Sequence, residues 1–166
     1  MGKALRIFLI GLPGSGKSTL AKQVSERLNI PHFDLDDEIE KSSGKKVGEI
    51  FEAGEVAFRK IESATLNNFI QQYDKLILAT GGGAPCFNDN LGTMKQSGTV
   101  IFLDVPVDEI CSRISKQSIN RPLLAGADLN LKITSLRNQR ITFYNQAHFV
   151  VSGANIQASE IIDLLV

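Results

Sequence analysis

The strongest structural signal in this chain is the segment Gly11-Leu12-Pro13-Gly14-Ser15-Gly16-Lys17-Ser18-Thr19. It matches the pattern G-x-x-x-x-G-K-[ST], in which glycines let successive backbone N–H groups turn inward around a phosphate. The apolar run Leu5–Ile10 precedes it and predicts a buried strand, and Ser18–Leu28 follows it and predicts a helix. The stretch therefore predicts a phosphate-binding P-loop between a strand and a helix.

Two side chains of this loop have expected contacts with a nucleoside triphosphate. Lys17 would reach the β- and γ-phosphates, and the Ser18 hydroxyl would bind Mg²⁺. The positive end of the following helix adds to the attraction for an anion. The loop therefore predicts nucleotide binding, but by itself it does not specify a reaction.

Length and composition limit the protein class. The chain has 166 residues with 43% hydrophobic and 22% charged, which is typical of one soluble globular domain. Lys+Arg and Asp+Glu both number 18, so the basic excess typical of nucleic-acid-binding proteins is missing. No apolar run approaches the about 18 residues needed to cross a membrane. We expect a cytoplasmic monomer with Cys86 and Cys111 as free thiols and with neither nucleic-acid nor membrane partners.

Short apolar runs alternate with helical patterns along the rest of the chain. The further predicted strands are Ile30–Phe33, Leu76–Ala79, Val100–Leu103 and Phe149–Val151. The further predicted helical regions are Asp36–Lys41, Val47–Gln72, Asn88–Gln96, Val107–Lys116, Leu129–Gln146 and Ala158–Leu164. Strands alternating with helices indicate right-handed βαβ units. The predicted fold is α/β: one three-layer P-loop domain over 1–166, with a five-stranded parallel sheet and helices on both faces.

Candidate ligand-binding residues follow three of the predicted strands, at the sheet edge where α/β proteins bind ligands. Asp34-Leu35-Asp36-Asp37 offers carboxylates that can hold Mg²⁺ through water and orient a hydroxyl, and one of them is expected to cap a helix. Gly81-Gly82-Gly83 lets a ligand approach the backbone closely. Asp104 ends an apolar strand, as the Mg²⁺-binding aspartate of many P-loop proteins does. The residues alone leave the metal open between Asp34 and Asp104.

The segment 117–128 interrupts the alternation. It is polar, contains Pro122 and Gly126, and lies between two strong helical patterns. A plain surface connection and a lid that closes over the nucleotide are both possible interpretations, and Arg121 favours the lid.

Several motifs, taken together and in order, resemble the shikimate kinase family. They are the P-loop, Asp34-x-Asp36, Phe58-Arg59-x-x-Glu62, Gly81-Gly82-Gly83, Phe102-Leu103-Asp104-Val105, Arg121-Pro122-Leu123-Leu124 and Arg140-x-x-x-Tyr144. The resemblance implies a nucleoside-monophosphate-kinase-like fold and phosphoryl transfer from ATP, with Mg²⁺, to the 3-hydroxyl of shikimate on the route to chorismate and aromatic amino acids. It also implies a substrate-binding region over 34–62 and a lid over 117–128.

The resemblance assigns nucleotide, metal and catalytic roles by position. The ATP phosphates would be wrapped by Gly14, Ser15, Gly16, Lys17, Ser18 and Thr19. Ser18 and, through water, Asp34 would hold Mg²⁺, which favours Asp34 over Asp104. Lys17, Asp36 and Arg121 would be catalytic, with Arg121 descending from the lid onto the phosphates. Arg113 and the loop Ser152–Asn155 are hypotheses for the adenine pocket.

The same resemblance assigns the acceptor site. Asp36 would contact the shikimate hydroxyl that is phosphorylated. Arg59 and Arg140 would grip the shikimate carboxylate, since a guanidinium binds a carboxylate through two parallel hydrogen bonds. Gly82 and Gly83 would present their backbone to the substrate ring.

Two alternatives remain at this point. The first is another small-molecule kinase of this fold, acting on gluconate or a nucleoside monophosphate, and a nucleoside monophosphate could be bound by Arg59 and Arg140. The triple glycine and the Asp34-x-Asp36 pair count against it. A nucleotide-dependent binding module without phosphoryl transfer is the second alternative, and the presence of Lys17 counts against that.

Overall fold

The computed structural model describes residues 4–117 and 127–166 and is built around an all-parallel sheet of five strands. The strands are β1 (Leu5–Ile10), β2 (His32–Asp34), β3 (Lys75–Ala79), β4 (Thr99–Asp104) and β5 (Phe149–Ser152). Their order across the sheet is β2-β3-β1-β4-β5, and every neighbouring pair is parallel. The predicted α/β fold with a five-stranded parallel sheet is therefore confirmed, and β1 places the P-loop at the middle of one sheet edge.

Helices alternate with these strands and cover the sheet. They are α1 (Lys17–Leu28), α2 (Leu35–Ser43), α3 (Val47–Ala53), α4 (Glu55–Gln72), α5 (Asn90–Ser97), α6 (Val107–Gln117), α7 (Ala127–Tyr144) and α8 (Ala158–Asp163), with a short 3₁₀ helix at Ala84–Cys86. The four consecutive residues 7–10 of β1 are all fully buried. Because successive strand residues point to opposite faces, both faces of the central sheet are covered.

The region predicted as one helical stretch, Val47–Gln72, is two helices. Gly54 separates α3 from α4 with φ 157° and ψ 121°, a conformation that side-chain-bearing residues rarely adopt. The second strand also begins later than predicted, at His32, because the N–H of Ile30 still bonds to the Ser25 carbonyl after α1. Both differences are local changes in where an element begins or ends, and neither changes the order of the elements along the chain.

Most of the candidate lid 117–128 lies outside the described residues. Gln117 is the last residue of α6, and α7 begins at Ala127. Arg121 therefore falls in the part of the chain for which we give no structure, and its role stays a prediction.

The described residues provide two further observations, one on the cysteines and one on the helices. Neither Cys86 nor Cys111 is disulfide-bonded there, and both are half-buried, as expected for free thiols. Within residues 4–117 and 127–166, the helices are too short or too polar to cross a lipid bilayer.

Candidate active site

A cavity of about 590 Å³ opens at the carboxyl edge of the sheet. The segments that follow β1, β2 and β3 all reach it, as the topology predicts. Its lining includes Gly14, Ser15, Gly16, Lys17, Ser18, Thr19, Asp34, Asp36, Gly81, Gly82, Arg113, Asn155, Ile156 and Gln157. The fold thus places the predicted P-loop and Asp36, the aspartate predicted to contact the acceptor hydroxyl, around the same cavity.

Lys17 begins α1 at the floor of this cavity. Its ammonium donates to the carbonyl oxygens of Gly11 and Leu12, each at 2.9 Å, so the loop itself holds the cation. Only 9% of the residue is exposed, and this burial lowers the pKa of Lys17 to about 8, against the opposing effect of Asp34 and Asp36. A buried cation in this position is a strong electrostatic partner for an incoming polyphosphate.

Asp34 is the one aspartate of its cluster that caps a helix. One carboxylate oxygen accepts from the backbone N–H groups of Asp36 (3.0 Å) and Asp37 (3.2 Å) at the start of α2. Its other oxygen accepts from the Ser18 hydroxyl. The two residues predicted to hold a metal are therefore in direct contact, and the cap fixes the direction of the Asp34 carboxylate.

Asp36 occupies the first turn of α2 and faces the glycine loop. Its Oδ1 is buried and has no hydrogen-bond partner among the described residues. Burial raises the pKa of Asp36, the neighbouring Asp34 raises it further, and Lys17 opposes both. A buried acceptor without a donor is costly, so this oxygen is suited to receive a hydroxyl from a ligand.

Gly82 and Gly83 lie against two arginines rather than in open space. A Cβ at Gly82 would come within 2.7 Å of the Arg140 Nη1, and one at Gly83 within 2.6 Å of the Arg59 Nη2. Any larger residue would therefore displace a guanidinium. The sequence predicts that these glycines make room for a ligand, and the structure adds that they make room for the arginines predicted to bind it.

Arg59 is held on α4 by a buried carboxylate. Its Nη1 donates to Glu62 Oε1 at 2.9 Å, and Glu62 is only 1% exposed. Burial raises the pKa of Glu62, although Arg59 opposes the shift. The i, i+3 spacing of the two residues places them on one face of the helix, and the burial of the pair is visible only in the structure.

Tyr144 connects α7 to the glycine loop. Its hydroxyl donates to the Gly82 carbonyl at 2.6 Å, and the residue is fully buried. Arg140 precedes it by one helical turn on the same helix. The hydrogen bond therefore ties the helix that carries Arg140 to the loop against which Arg140 lies.

Substituting Tyr144 by phenylalanine is expected to reduce stability in a pH-dependent way. Losing a buried hydrogen bond costs about 1–2 kcal/mol at about pH 8. Burial raises the pKa of Tyr144 from 10.0 to about 12. Because the folded value is the higher one, the wild type loses stability as pH rises from the unfolded pKa to the folded one, by up to about 2–3 kcal/mol, and Tyr144→Phe does not share this loss. Urea unfolding at about pH 8 and about pH 11 should show the gap between wild type and variant narrowing at high pH.

The control for this experiment is Tyr73→Phe, in the only other tyrosine of the chain. Tyr73→Phe measures how much of the change in the free energy of unfolding follows from losing a tyrosine hydroxyl elsewhere in the protein. A Tyr144→Phe gap that stays constant between the two pH values would contradict the raised pKa.

Asp104, the alternative metal ligand, is paired with an arginine. Arg137 of α7 places its Nη2 3.2 and 3.4 Å from the two carboxylate oxygens of Asp104. Sequence reasoning did not single out Arg137, because its partner is 33 residues away in the chain. The pairing ties α7 to the end of β4.

Arg113 closes the side of the cavity next to α6. Its guanidinium donates to the Gly14 carbonyl (3.3 Å) and the Ala154 carbonyl (2.6 Å), and its Nε donates to Glu109 (2.9 Å). It therefore bridges the P-loop to the loop after β5. The role of Arg113 and residues 152–155 at an adenine pocket stays a hypothesis.

Comparison with known proteins points to one family. The family model described as shikimate kinase matches residues 13–166. A curated shikimate kinase from Gloeobacter violaceus is 40% identical over 157 residues, which cover 94% of this chain and 88% of that protein. One from Bacteroides fragilis is 39% identical over 157 residues, covering 92% and 87%.

Solved structures agree with the sequence matches. The crystal structure of shikimate kinase from Bacteroides thetaiotaomicron superposes with a TM-score of 0.89 at 35% identity, covering 97% of this chain and 98% of that one. Shikimate kinase from Acinetobacter baumannii, in complex with shikimate, superposes with a TM-score of 0.86 at 34% identity, covering 98% and 94%. Since both the sequence and the fold match over nearly the whole length, the chain belongs to the shikimate kinase family.

Proposed function

We propose that this chain transfers the γ-phosphoryl group of ATP to the 3-hydroxyl of shikimate through the residues assembled at its cavity, as a step towards chorismate and aromatic amino acids. The observation that carries the proposal is the buried Oδ1 of Asp36, which lacks a partner in the described part of the chain. It belongs to a residue that lines the same cavity as the P-loop. A hydroxyl bonded to this oxygen would be both oriented and polarised for attack on a phosphate bound to the loop.

The phosphate side of the site is the P-loop, from Gly14 to Thr19. Lys17 would exchange its two backbone carbonyl partners for phosphate oxygens, which bind an ammonium more strongly. Phosphoryl transfer depends mainly on alignment and on neutralising charge. Lys17 from the loop and Arg121 from the proposed lid 117–128 would supply that positive charge.

Mg²⁺ fits the oxygens of Ser18 and Asp34. Both side chains line the cavity, they contact each other, and hard oxygen ligands are those that Mg²⁺ prefers. Ser18 would bind the ion directly, and Asp34 would hold it through water while its second oxygen caps α2. The ion supplies charge for the phosphates when bound.

The acceptor side is the region 34–62 together with the glycine loop. Arg140 reaches the wall of the cavity at Gly82, and Arg59 reaches the next residue, Gly83. We assign the shikimate carboxylate to these two guanidiniums and the substrate ring to the backbone of the two glycines. Two fixed cations at one end of the site would favour an acidic acceptor over a neutral polyol.

All residues assigned here except Arg121 lie within the described parts of one chain, which supports a monomer as the working unit. We place the enzyme in the cytoplasm, where ATP is available and unpaired thiols persist. Size-exclusion chromatography with light scattering tests the monomer.

ADP release from Mg-ATP is expected with shikimate and to be at background with gluconate or AMP. The physical reason is that Asp36, the two arginines and the backbone of Gly82 and Gly83 would together hold a cyclic acid with its hydroxyl at a fixed distance from its carboxylate, whereas gluconate is an open chain and AMP is a larger nucleotide. A coupled assay with the three acceptors in parallel measures it. Turnover with gluconate or AMP alone would keep the fold and overturn the substrate, and ATP binding without turnover would favour a binding module.

A further inference from the structure

The Arg59 guanidinium lies over the ring of Phe87. The centre of this ring is 4.0 Å from the Arg59 Cζ, closer than the rings of Phe58 (5.1 Å) and Phe51 (5.7 Å). Phe87 follows the 3₁₀ helix of the glycine loop, whereas the other two rings belong to α3 and α4. The guanidinium is thus enclosed by aromatic rings from two separate parts of the chain.

The turn that carries Phe87 is built to hold this position. The next residue, Asn88, donates its side-chain amide to the Arg59 carbonyl and to the Ser63 hydroxyl, both at 3.3 Å. Asn88 and Asp89 have φ of 52° and 54°, in the left-handed region that asparagine and aspartate tolerate better than most residues. The turn therefore contacts the Arg59 backbone as well as its side chain.

A guanidinium that lies over a ring keeps the N–H groups at its edge available. Arg59 uses one edge for Glu62, and its buried Nε makes no hydrogen bond among residues 4–117 and 127–166 but lies 3.5 Å from the Glu55 Oε1 in an ion pair. The ring adds a cation–π attraction and keeps water off the charge, which strengthens ion pairing at the remaining edge. Glu62 and Gly83 limit the guanidinium on other sides, so the ring restricts the directions that it can still face.

We propose that Phe87 is a positioning residue for the acidic acceptor: its ring holds Arg59 in the orientation that receives the substrate carboxylate and shields that ion pair from water. The inference rests on the proposed role of Arg59. Phe87 acts through Arg59 and is not assigned any contact with substrate.

Replacing Phe87 by leucine is expected to raise the KM for shikimate about 5- to 30-fold, the range of a partly desolvated cation–π contact. The KM for ATP and kcat should change less than about twofold, because the P-loop and Asp36 keep their places. Phe87→Tyr retains the ring and should restore the wild-type KM. Steady-state kinetics with each substrate varied in turn gives this split.

The salt dependence of the KM for shikimate distinguishes the positioning role of Phe87 from a purely structural role, because a structural role would leave it unchanged. With the ring gone, ions and water reach the Arg59 charge, so the KM for shikimate should rise more steeply with NaCl in Phe87→Leu than in wild type. The matched control is Phe149→Leu on β5, since Phe149 is 39% exposed and Phe87 is 37% exposed. Phe149→Leu should leave both KM values and the salt slope unchanged.

Arg59→Leu, alone and combined with Phe87→Leu, separates this inference from the function on which it rests. If Phe87 acts through Arg59, adding Phe87→Leu to Arg59→Leu should change the KM for shikimate little further. An unchanged KM in Arg59→Leu would overturn the assigned role of Arg59. A raised KM in Arg59→Leu with wild-type kinetics in Phe87→Leu would overturn only the positioning role.

Phe87→Met tests whether a folding defect explains the raised KM for shikimate, because it removes the ring while keeping most of the side-chain volume. It should reproduce the raised KM for shikimate at an unchanged melting temperature. If Phe87→Leu and Phe87→Met raise both KM values equally, or lower kcat alone, the positioning role is wrong.

Discussion

Asp36→Asn is expected to lower kcat by about 10²- to 10⁴-fold, the range for removing a positioned acid–base group. The substitution keeps the shape of the side chain and removes its charge, so the acceptor hydroxyl loses the group that orients it and receives its proton. Burial and Asp34 raise the pKa of Asp36, which means that the folded protein carries this charge at a cost. The variant should therefore be at least as stable as wild type in thermal unfolding at neutral pH.

Asp37→Asn is the matched control, because Asp37 is the exposed next residue of the same helix and also donates its backbone N–H to Asp34. It should retain kcat within about twofold. Coupled ADP assays measure kcat for both variants. Wild-type turnover in Asp36→Asn would remove Asp36 from the chemistry, and a large loss in Asp37→Asn would show that the helix cap rather than Asp36 was disturbed.

Lys17→Met should lower kcat/KM for ATP by about 10²- to 10³-fold or more, as expected when one preorganised charge donor to the phosphates is removed. Methionine has a similar length and is apolar. Burial lowers the pKa of Lys17 to about 8, so the free enzyme pays to keep this cation charged. We therefore expect an activity loss without a loss of stability, measured by steady-state kinetics and thermal unfolding of the ligand-free protein.

Lys22→Met provides the control, since Lys22 is an exposed lysine on the same helix α1. Its kinetics should match those of wild type. A fall in melting temperature of Lys17→Met far beyond that of Lys22→Met would mean that Lys17 mainly holds the loop together through the Gly11 and Leu12 carbonyls.

Local patterns in the sequence predicted the parts of the site that lie next to one another in the chain. The P-loop has a fixed spacing because consecutive backbone N–H groups must surround one phosphate. The aspartates 34 and 36 and the glycines 81–83 could be found because they follow apolar runs that read as strands. Parallel strands bring their carboxyl ends to one edge, so their convergence also followed from the alternation of elements.

Contacts between distant residues could not be found in this way. Tyr144 bonds to Gly82 across 62 residues, and Arg113 bonds to Gly14 across 99. The Phe87 ring on Arg59 and the Arg137–Asp104 pair are of the same kind. The residues in these pairs carry no local signal of their contacts. The neighbouring sequence of an arginine or a phenylalanine looks the same whether or not the side chain contacts a distant residue in the folded protein.

Local patterns in the sequence predicted the α/β class, the five strands, the P-loop and the polar residues that follow the strands, because these features depend on periodicity, turn residues and motif spacing over short distances. The roles of Arg59, Arg121 and Arg140 came instead from the family resemblance. The strand order, the break at Gly54, the burial of the Arg59–Glu62 pair and the aromatic rings around Arg59 became visible only in the folded structure. Those features depend on which surfaces pack together, since burial and the loss of water that sets the strength of charged contacts exist only after the chain has folded.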